Sequence, residues 1–338
     1  MKIVLVRPDG IGDEILCLPV ASALRSQMPD AHITFLSSAY AAPALQQHPD
    51  LDAVLSASGA ERFGERVAML RGFDAAIFLK PFKQWMIAAW AARVPIRVAT
   101  GYRWYSVFMN RRVYEHRHDF SRHESEYNLG LLKGLGLTPG PGTRPALTAT
   151  ENERQVARTR LEALPRPLVV VHPGGFSTRR WRSSHYCGLV AELVHAGYGV
   201  VLTGSADERQ RFFADIAHDQ IPRVGVLNLM GQIDLRGLMA IIAESDALVA
   251  GATGPAHLAA ALGCPFVSLF DPRRNALPIR WQPLGHGVVL RPQVPTCEKC
   301  IYEKCPYWDC LDRITVNEVM GRVRQVLRQA EFVKVVHV

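Results

Sequence analysis

Thr253, Gly254 and His257 fall inside the stretch A-L-V-A-G-A-T-G-P-A-H-L-A-A-A-L-G, which runs from Ala247 to Gly263. The apolar run Ala247–Ala250 has the make-up of a buried parallel strand. Gly251–Gly254 is a turn of small residues, and Pro255 stands where the first residue of a helix belongs. Ala256–Leu262 is apolar and helix-forming until Gly263 and Pro265 stop it. A strand that turns sharply into a helix offers the unpaired N–H groups of the helix start to an anion, here those of Thr253 and Gly254. The side chains of Thr253 and His257 add donors on the first turn. The segment suits a phosphate, although a plain core helix with a half-buried His257 would use the same residues.

A second loop has similar chemistry. The apolar strand Leu168–Val171 leads into His172-Pro173-Gly174-Gly175, followed by the basic run S-T-R-R-W-R from Ser177 to Arg182. Arg179 and Arg180 could grip an anion with forked guanidinium groups; a solvated basic loop is the alternative. Val200–Leu202 is a further strand, ending in Thr203-Gly204-Ser205. Near the start, Gly10-Ile11-Gly12 places Asp13 at a helix start. The third glycine of a dinucleotide fingerprint is missing, and Ser37-Ser38 supplies no acid after the second strand. Asp13 therefore reads either as a ligand-facing carboxylate or as a helix-capping acid.

Arg103, Arg111 and Arg112 belong to a stretch rich in arginine, histidine and aromatic residues, Gly101–Glu124. Such a stretch can hold phosphates or sugar rings, or simply be a solvated loop. No helix-turn-helix, zinc-finger or RNA-binding pattern accompanies it, so nucleic acid is not the expected partner. Cys297, Cys300, Cys305 and Cys310 could close a tetrahedron around a structural zinc, or pair as disulfides, or pack a loop as thiols. The single D-x-D, Asp50-Leu51-Asp52, reads as a turn.

These residues need elements to position them. Strands at Lys2–Val6, Ile33–Leu36, Ala53–Leu55, Ala75–Leu79 and Ile96–Ala99 alternate with helical patterns. The breaker-rich Gly136–Pro145 reads as a linker, and the alternation restarts beyond it. Repeated βαβ units imply parallel sheets, and 338 residues suit two domains with a cleft between them. A hydrophobic content of 48% and a charged content of 21% exclude a disordered or fibrous chain. No apolar run is long enough to span a bilayer, and the opening M-K-I-V-L-V reads as a first strand, not a signal peptide. Cys17, Cys187 and Cys264, each in apolar surroundings, suit core thiols in a reducing compartment. A net charge of +8 favours acidic partners.

Three motifs together resemble glycosyltransferase family 9, the ADP-heptose:lipopolysaccharide heptosyltransferases: G-I-G-D-E-I-L-C-L-P at Gly10–Pro19, H-P-G-G-x-S-x-R-R-W at His172–Trp181 and A-T-G-P-A-H-L-A-A-A-L-G at Ala252–Gly263. The resemblance implies an α/β protein of the GT-B fold, two Rossmann-like domains facing each other across a cleft. Residues 1–145 would bind acceptor, residues 146–314 the nucleotide sugar, and a C-terminal helix within 315–338 would pack back on the first domain. It implies an inverting transferase needing no cofactor, with Asp13 as general base and Gly12, Arg103, Arg111 and Arg112 on the acceptor side. The donor, an ADP-sugar, would meet Gly174, Gly175, Arg179, Arg180, Thr203, Glu208, Ile233, Thr253, Gly254 and His257. Arg179 stands where the family usually has lysine, and Ala252 where an aspartate is frequent, a departure that bears on the donor sugar. The acceptor would be an anionic saccharide or glycolipid, and the enzyme cytoplasmic, peripheral at the inner face of the membrane. A GT-B transferase using another nucleotide sugar, and a non-catalytic sugar-nucleotide or saccharide binding protein, are the alternative readings.

Overall fold

A computed structural model describes residues 1–140, 142–175, 179–217 and 220–336, with side chains through residue 329 in the last helix. Ser177 of the basic loop lies outside the described residues. The chain divides into two units, Met1–Leu147 and Thr148–Val338, two residues beyond the expected boundary.

The first unit has strands β1 (Lys2–Val6), β2 (His32–Ser38), β3 (Ala53–Ala57), β4 (Ala75–Phe78), β5 (Ile96–Thr100) and β6 (Arg111–Val113). Its helices are α1 (Ile11–Ile15), α2 (Leu18–Gln27), α3 (Ala42–Leu45), α4 (Phe63–Leu70), α5 (Lys83–Ala91) and α6 (Glu124–Gly130). All the strands are parallel, in the order β3-β2-β1-β4-β5-β6. Ile3, Val4, Leu5 and Val6 are fully buried, because helices cover both faces of such a sheet. Val4, Val6, Leu36 and Phe78 meet Trp85 and Met86 of α5 in one core. Helices α1 and α2 are separated at Leu16-Cys17, because Pro19 occupies the first turn of α2 and cannot continue a helix from before it.

The second unit repeats the plan with β7 (Leu168–His172), β8 (Gly199–Leu202), β9 (Val226–Asn228), β10 (Ala247–Gly251), β11 (Phe266–Leu269) and β12 (Gly287–Leu290). Between and around them run α7 (Glu151–Leu161), α8 (Ser183–His195), α9 (Ala206–Ala214), α10 (Leu235–Ala243), α11 (Gly254–Ala261), α12 (Pro278–Trp281) and α13 (Val316–Val336). The order is β12-β11-β10-β7-β8-β9, again all parallel. Helix α13 packs on α8, β10, β11 and β12, and Val319, Met320, Val323 and Val326 are buried in the second unit's own core. The apolar face of the described part of α13 covers the sheet just before it.

Candidate functional site

In parallel sheets of this kind, ligands bind beyond the carboxyl ends of the strands where the strand order reverses. In the first unit that point lies between β1 and β4, and in the second between β7 and β10. Asp13 stands at the first and Thr253 at the second.

After β1 the chain passes through Arg7, Pro8 and Asp9 into α1, which carries Gly12 and Asp13. Arg7 is buried and donates from Nη2 to Asp13 Oδ1. Its Nη1 reaches Glu124 Oε1 at 3.3 Å and the Leu79 carbonyl at 3.4 Å, and its Nε lies 3.5 Å from Asp9. Lys80, just past β4, pairs with Asp9. Arg7 thus fixes Asp13 while leaving its side chain 32% exposed. Burial raises the Asp13 carboxyl above the ordinary aspartate range; Arg7 and Lys80 pull against this, and Asp9 adds to it. A partly exposed, held carboxylate of raised basicity is what a general base requires.

Glu14 is the opposite. It is fully buried and accepts from Asp9 N–H, Ser38 N–H and both serine hydroxyls of Ser37-Ser38. It pins the ends of β1 and β2 together. Arg7, Glu124 and Arg117, which also pairs with Glu124, were not found by sequence reasoning. Glu124 is more than a hundred residues from Arg7, and no spacing rule links them.

Arg103 and Arg111 are exposed, on the 3-10 turn before β6 and on β6 itself, with Arg112 beside them. In strand order β6 is third from β1, roughly 14 Å away at the usual strand spacing. Arg112 Nε donates to the carbonyls of Ser106 and Met109. The fold therefore does not gather these three arginines around Asp13. Asp50 and Asp52 hold a turn by accepting from Ser22, Arg25 and Ile33 N–H.

In the second unit the expected residues converge. His172 ends β7 and shares a 3.0 Å hydrogen bond with Thr203, just past β8. Glu208 closes a capping box with Ser205 at the start of α9 and accepts from Gly175 N–H at 2.8 Å. Burial works against the Glu208 charge, but His172 and the N–H groups of Ser205 and Gly175 outweigh it and hold the carboxyl down to about 2. A Cβ on Gly174 would stand 2.1 Å from Glu208 Oε1 and 2.7 Å from His172 Nε2. Gly175 has φ 146°; the pair must be glycine for the loop to fold over Glu208.

On the other side of β7, Ala250 of β10 pairs with His172, and Gly174 O lies 4.0 Å from where a Gly251 Cβ would be. Thr253 then caps α11 by backbone position alone, since no side chain accepts from its first turn. His257 is buried one turn in. Ile233 follows Met230-Gly231, whose chain is tied back to Gly204 by a 2.7 Å backbone bond. These groups line one edge of the sheet; of the two amides expected to face an anion, Thr253 N–H is instead taken by the Gly251 carbonyl at 2.8 Å, which leaves that of Gly254 at the helix start.

Beside this edge is a cavity of about 480 Å³ lined by Gly175, Glu208, Arg179, Arg180, Arg211 and Arg273, among others. Arg179 donates to the Trp308 carbonyl and lies over the Tyr302 ring. Arg273, held by buried Asp271 at 2.9 and 2.6 Å, was not anticipated; an Asp two residues before an Arg at a strand end was its signal.

The four clustered cysteines are free thiols. Among the described residues no three His, Cys, Asp or Glu side chains stand where they could hold one metal ion, which corrects the zinc expectation. They line one cavity of about 30 Å³ with Tyr302, Tyr307 and Trp308. Their uneven spacing is taken up by short turns at Tyr302–Lys304 and Cys310–Arg313, and they serve the loop that receives Arg179. Cys17, Cys187 and Cys264 are buried, as expected of core thiols.

The profile of glycosyltransferase family 9 (heptosyltransferase) matches residues 66–309. The lipopolysaccharide heptosyltransferase 2 of Salmonella typhimurium is 27% identical over 307 residues, covering 85% of this chain and 86% of that protein. The solved ADP-heptose LPS heptosyltransferase II of Escherichia coli is similar with TM-score 0.81 at 25% identity, over 98% of this chain and all of that one. A family 9 glycosyltransferase from Veillonella parvula also gives 0.81, at 20% identity over 97% of each chain.

Proposed function

The chain belongs to glycosyltransferase family 9, and from that premise we propose that it transfers a heptose from ADP-heptose to the core of a lipopolysaccharide or a related saccharide. Similarity to the Salmonella and Escherichia coli heptosyltransferases over most of both chains supports the donor and acceptor classes. The observation that carries the site is the convergence of Gly174-Gly175, Thr203, Glu208 and the open start of α11 at one sheet edge. In this reading the first unit takes the acceptor and the second the donor.

Asp13, held by Arg7, accepts a proton from the acceptor hydroxyl as that oxygen attacks the anomeric carbon. The bond to the diphosphate breaks on the opposite face, and the configuration inverts. General-base help of this kind contributes ~10²–10⁴-fold. The departing diphosphate gains charge, which the Gly254 N–H, His257 and the arginines beside Gly175 stabilise. These donors do the work without a bound metal. The enzyme would act at the cytoplasmic face of the membrane; no helix among the described residues is long and apolar enough to cross one.

Calorimetry with ADP, GDP, UDP and CDP, with and without Mg²⁺, tests this on the native chain and on Asp13→Asn. Selective, Mg²⁺-independent binding of ADP is expected, equal in both proteins, with transfer to truncated lipopolysaccharide lost by at least about 100-fold in the variant. A preference for GDP or UDP reassigns the donor. Full transfer by Asp13→Asn removes the base.

A further inference from the structure

We propose that the face of α5 carrying Lys83 and Trp90 and the 3-10 turn Trp104–Phe108 form a surface that seats the first unit on an anionic phospholipid bilayer. The segment Ala75–Tyr114 contains seven Lys and Arg residues and no Asp or Glu. Its fold brings two parts of that segment together. Helix α5 packs on the 3-10 turn; the Lys83 ammonium lies 4.8 Å from the Trp104 ring centroid, and the Trp90 ring lies 5.3 Å from Phe108.

The apolar groups there are unusually open. Trp104 is 71% exposed, Val107 64% and Trp90 52%. Trp104 and Val107 are three residues apart on a 3-10 turn, where side chains at that spacing eclipse and share one face. Around them stand Lys83, Arg93, Arg103 and Arg111, all exposed. None of these four makes an ion pair among the described residues, in contrast to Lys80, which is taken by Asp9.

Exposed tryptophan beside unpaired cations matches the boundary of an anionic bilayer. The indole enters the headgroup zone, the aliphatic stems lie along it, and each cation gains from the negative surface potential. A soluble protein partner would need a complementary acidic face and would leave less reason for an aromatic at the tip. The surface stands on its own geometry: a chain that binds vesicles yet transfers no sugar would keep it.

Flotation with phosphatidylcholine vesicles, with and without about 30% phosphatidylglycerol, tests the proposal on the full chain. Binding to the anionic vesicles alone is expected, weakening as salt rises. Trp104→Ser and Lys83→Glu should each lower it about tenfold, with melting temperature unchanged, since both side chains are exposed. Arg160→Glu on α7 makes the same charge change elsewhere and should leave binding intact. The proposal is overturned if neutral vesicles bind equally or nothing binds. It also fails if Arg160→Glu loses as much as Lys83→Glu, or if the Trp104 and Lys83 variants float like the native chain. If those variants float normally but fail on a lipid-free saccharide acceptor, the surface belongs to the saccharide instead.

Discussion

Asp13 and Glu14 are adjacent, and their surroundings divide their roles. Asp13 keeps a third of its side chain in solvent, and Arg7 fixes its position. Glu14 is fully buried among N–H and hydroxyl donors with no cation beside it. Burial pushes its carboxyl up to about 7, against those hydrogen bonds. The folded chain therefore holds a proton that the unfolded chain has released from about 4.5 upward. Stability contributed by neutral Glu14 is present below that value and lost as pH climbs towards 7, by about 3 kcal/mol in total. Glu14→Gln keeps an acceptor for Ser38 and Asp9 and removes the titration. Denaturant melts at pH 5 and pH 8 should show the native chain losing about 2–3 kcal/mol more than the variant over that interval, the remainder having been lost between 4.5 and 5. Equal losses would mean that Glu14 is already ionised at pH 5. The sequence showed both acids on one turn, but not Glu124, Arg117 or the two serines that separate their roles.

At the scale of elements, what was legible depended on burial. Strands β1, β7 and β10 are continuous apolar runs because both their faces are covered, and their positions follow from that alone. Strand β6 is short and mostly exposed and its sequence, R-R-V, carries no such run; β12 does carry one, Val288-Val289-Leu290, the same residue types as in β8, and was not anticipated. The loop after β7 was legible as glycine and arginine, but its reason lies in Glu208, reached through a helix cap 33 residues on. That dependence is testable through Gly174→Ala. The new methyl would overlap Glu208, whose carboxylate is already fixed by Gly175 and Ser205 N–H. Neither backbone donor can yield cheaply, so a loss of about 1–3 kcal/mol in stability is expected. ADP affinity should fall at least about tenfold, because the displaced loop lines the cavity beside the proposed donor site and leads into Arg179 and Arg180. Native ADP affinity in a folded Gly174→Ala protein would detach this loop from the donor.

Across the whole molecule the two units carry the same strand order about their first strands, β1 and β7. Each therefore places one switch point, and the chemistry divides between them. The carboxylate suited to a base is on Met1–Leu147, and every group assigned to the donor is on Thr148–Val338. The motifs made this division legible, whereas an amphipathic helix such as α13 records that it has an apolar face but not which sheet lies under it. The division has a direct consequence for hydrogen exchange. ADP bound at the second switch point should slow the amides of Gly174-Gly175, of the α9 start around Ser205 and of the α11 start around Gly254. Each contact closes a backbone opening that exchange requires, and protection then follows ligand concentration over its dissociation constant. The same peptides should be protected to the same degree in Asp13→Asn, since in the proposed mechanism Asp13 acts on the acceptor. Protection confined to peptides of Met1–Leu147 would place the nucleotide on the wrong unit and overturn the assignment of both sites together.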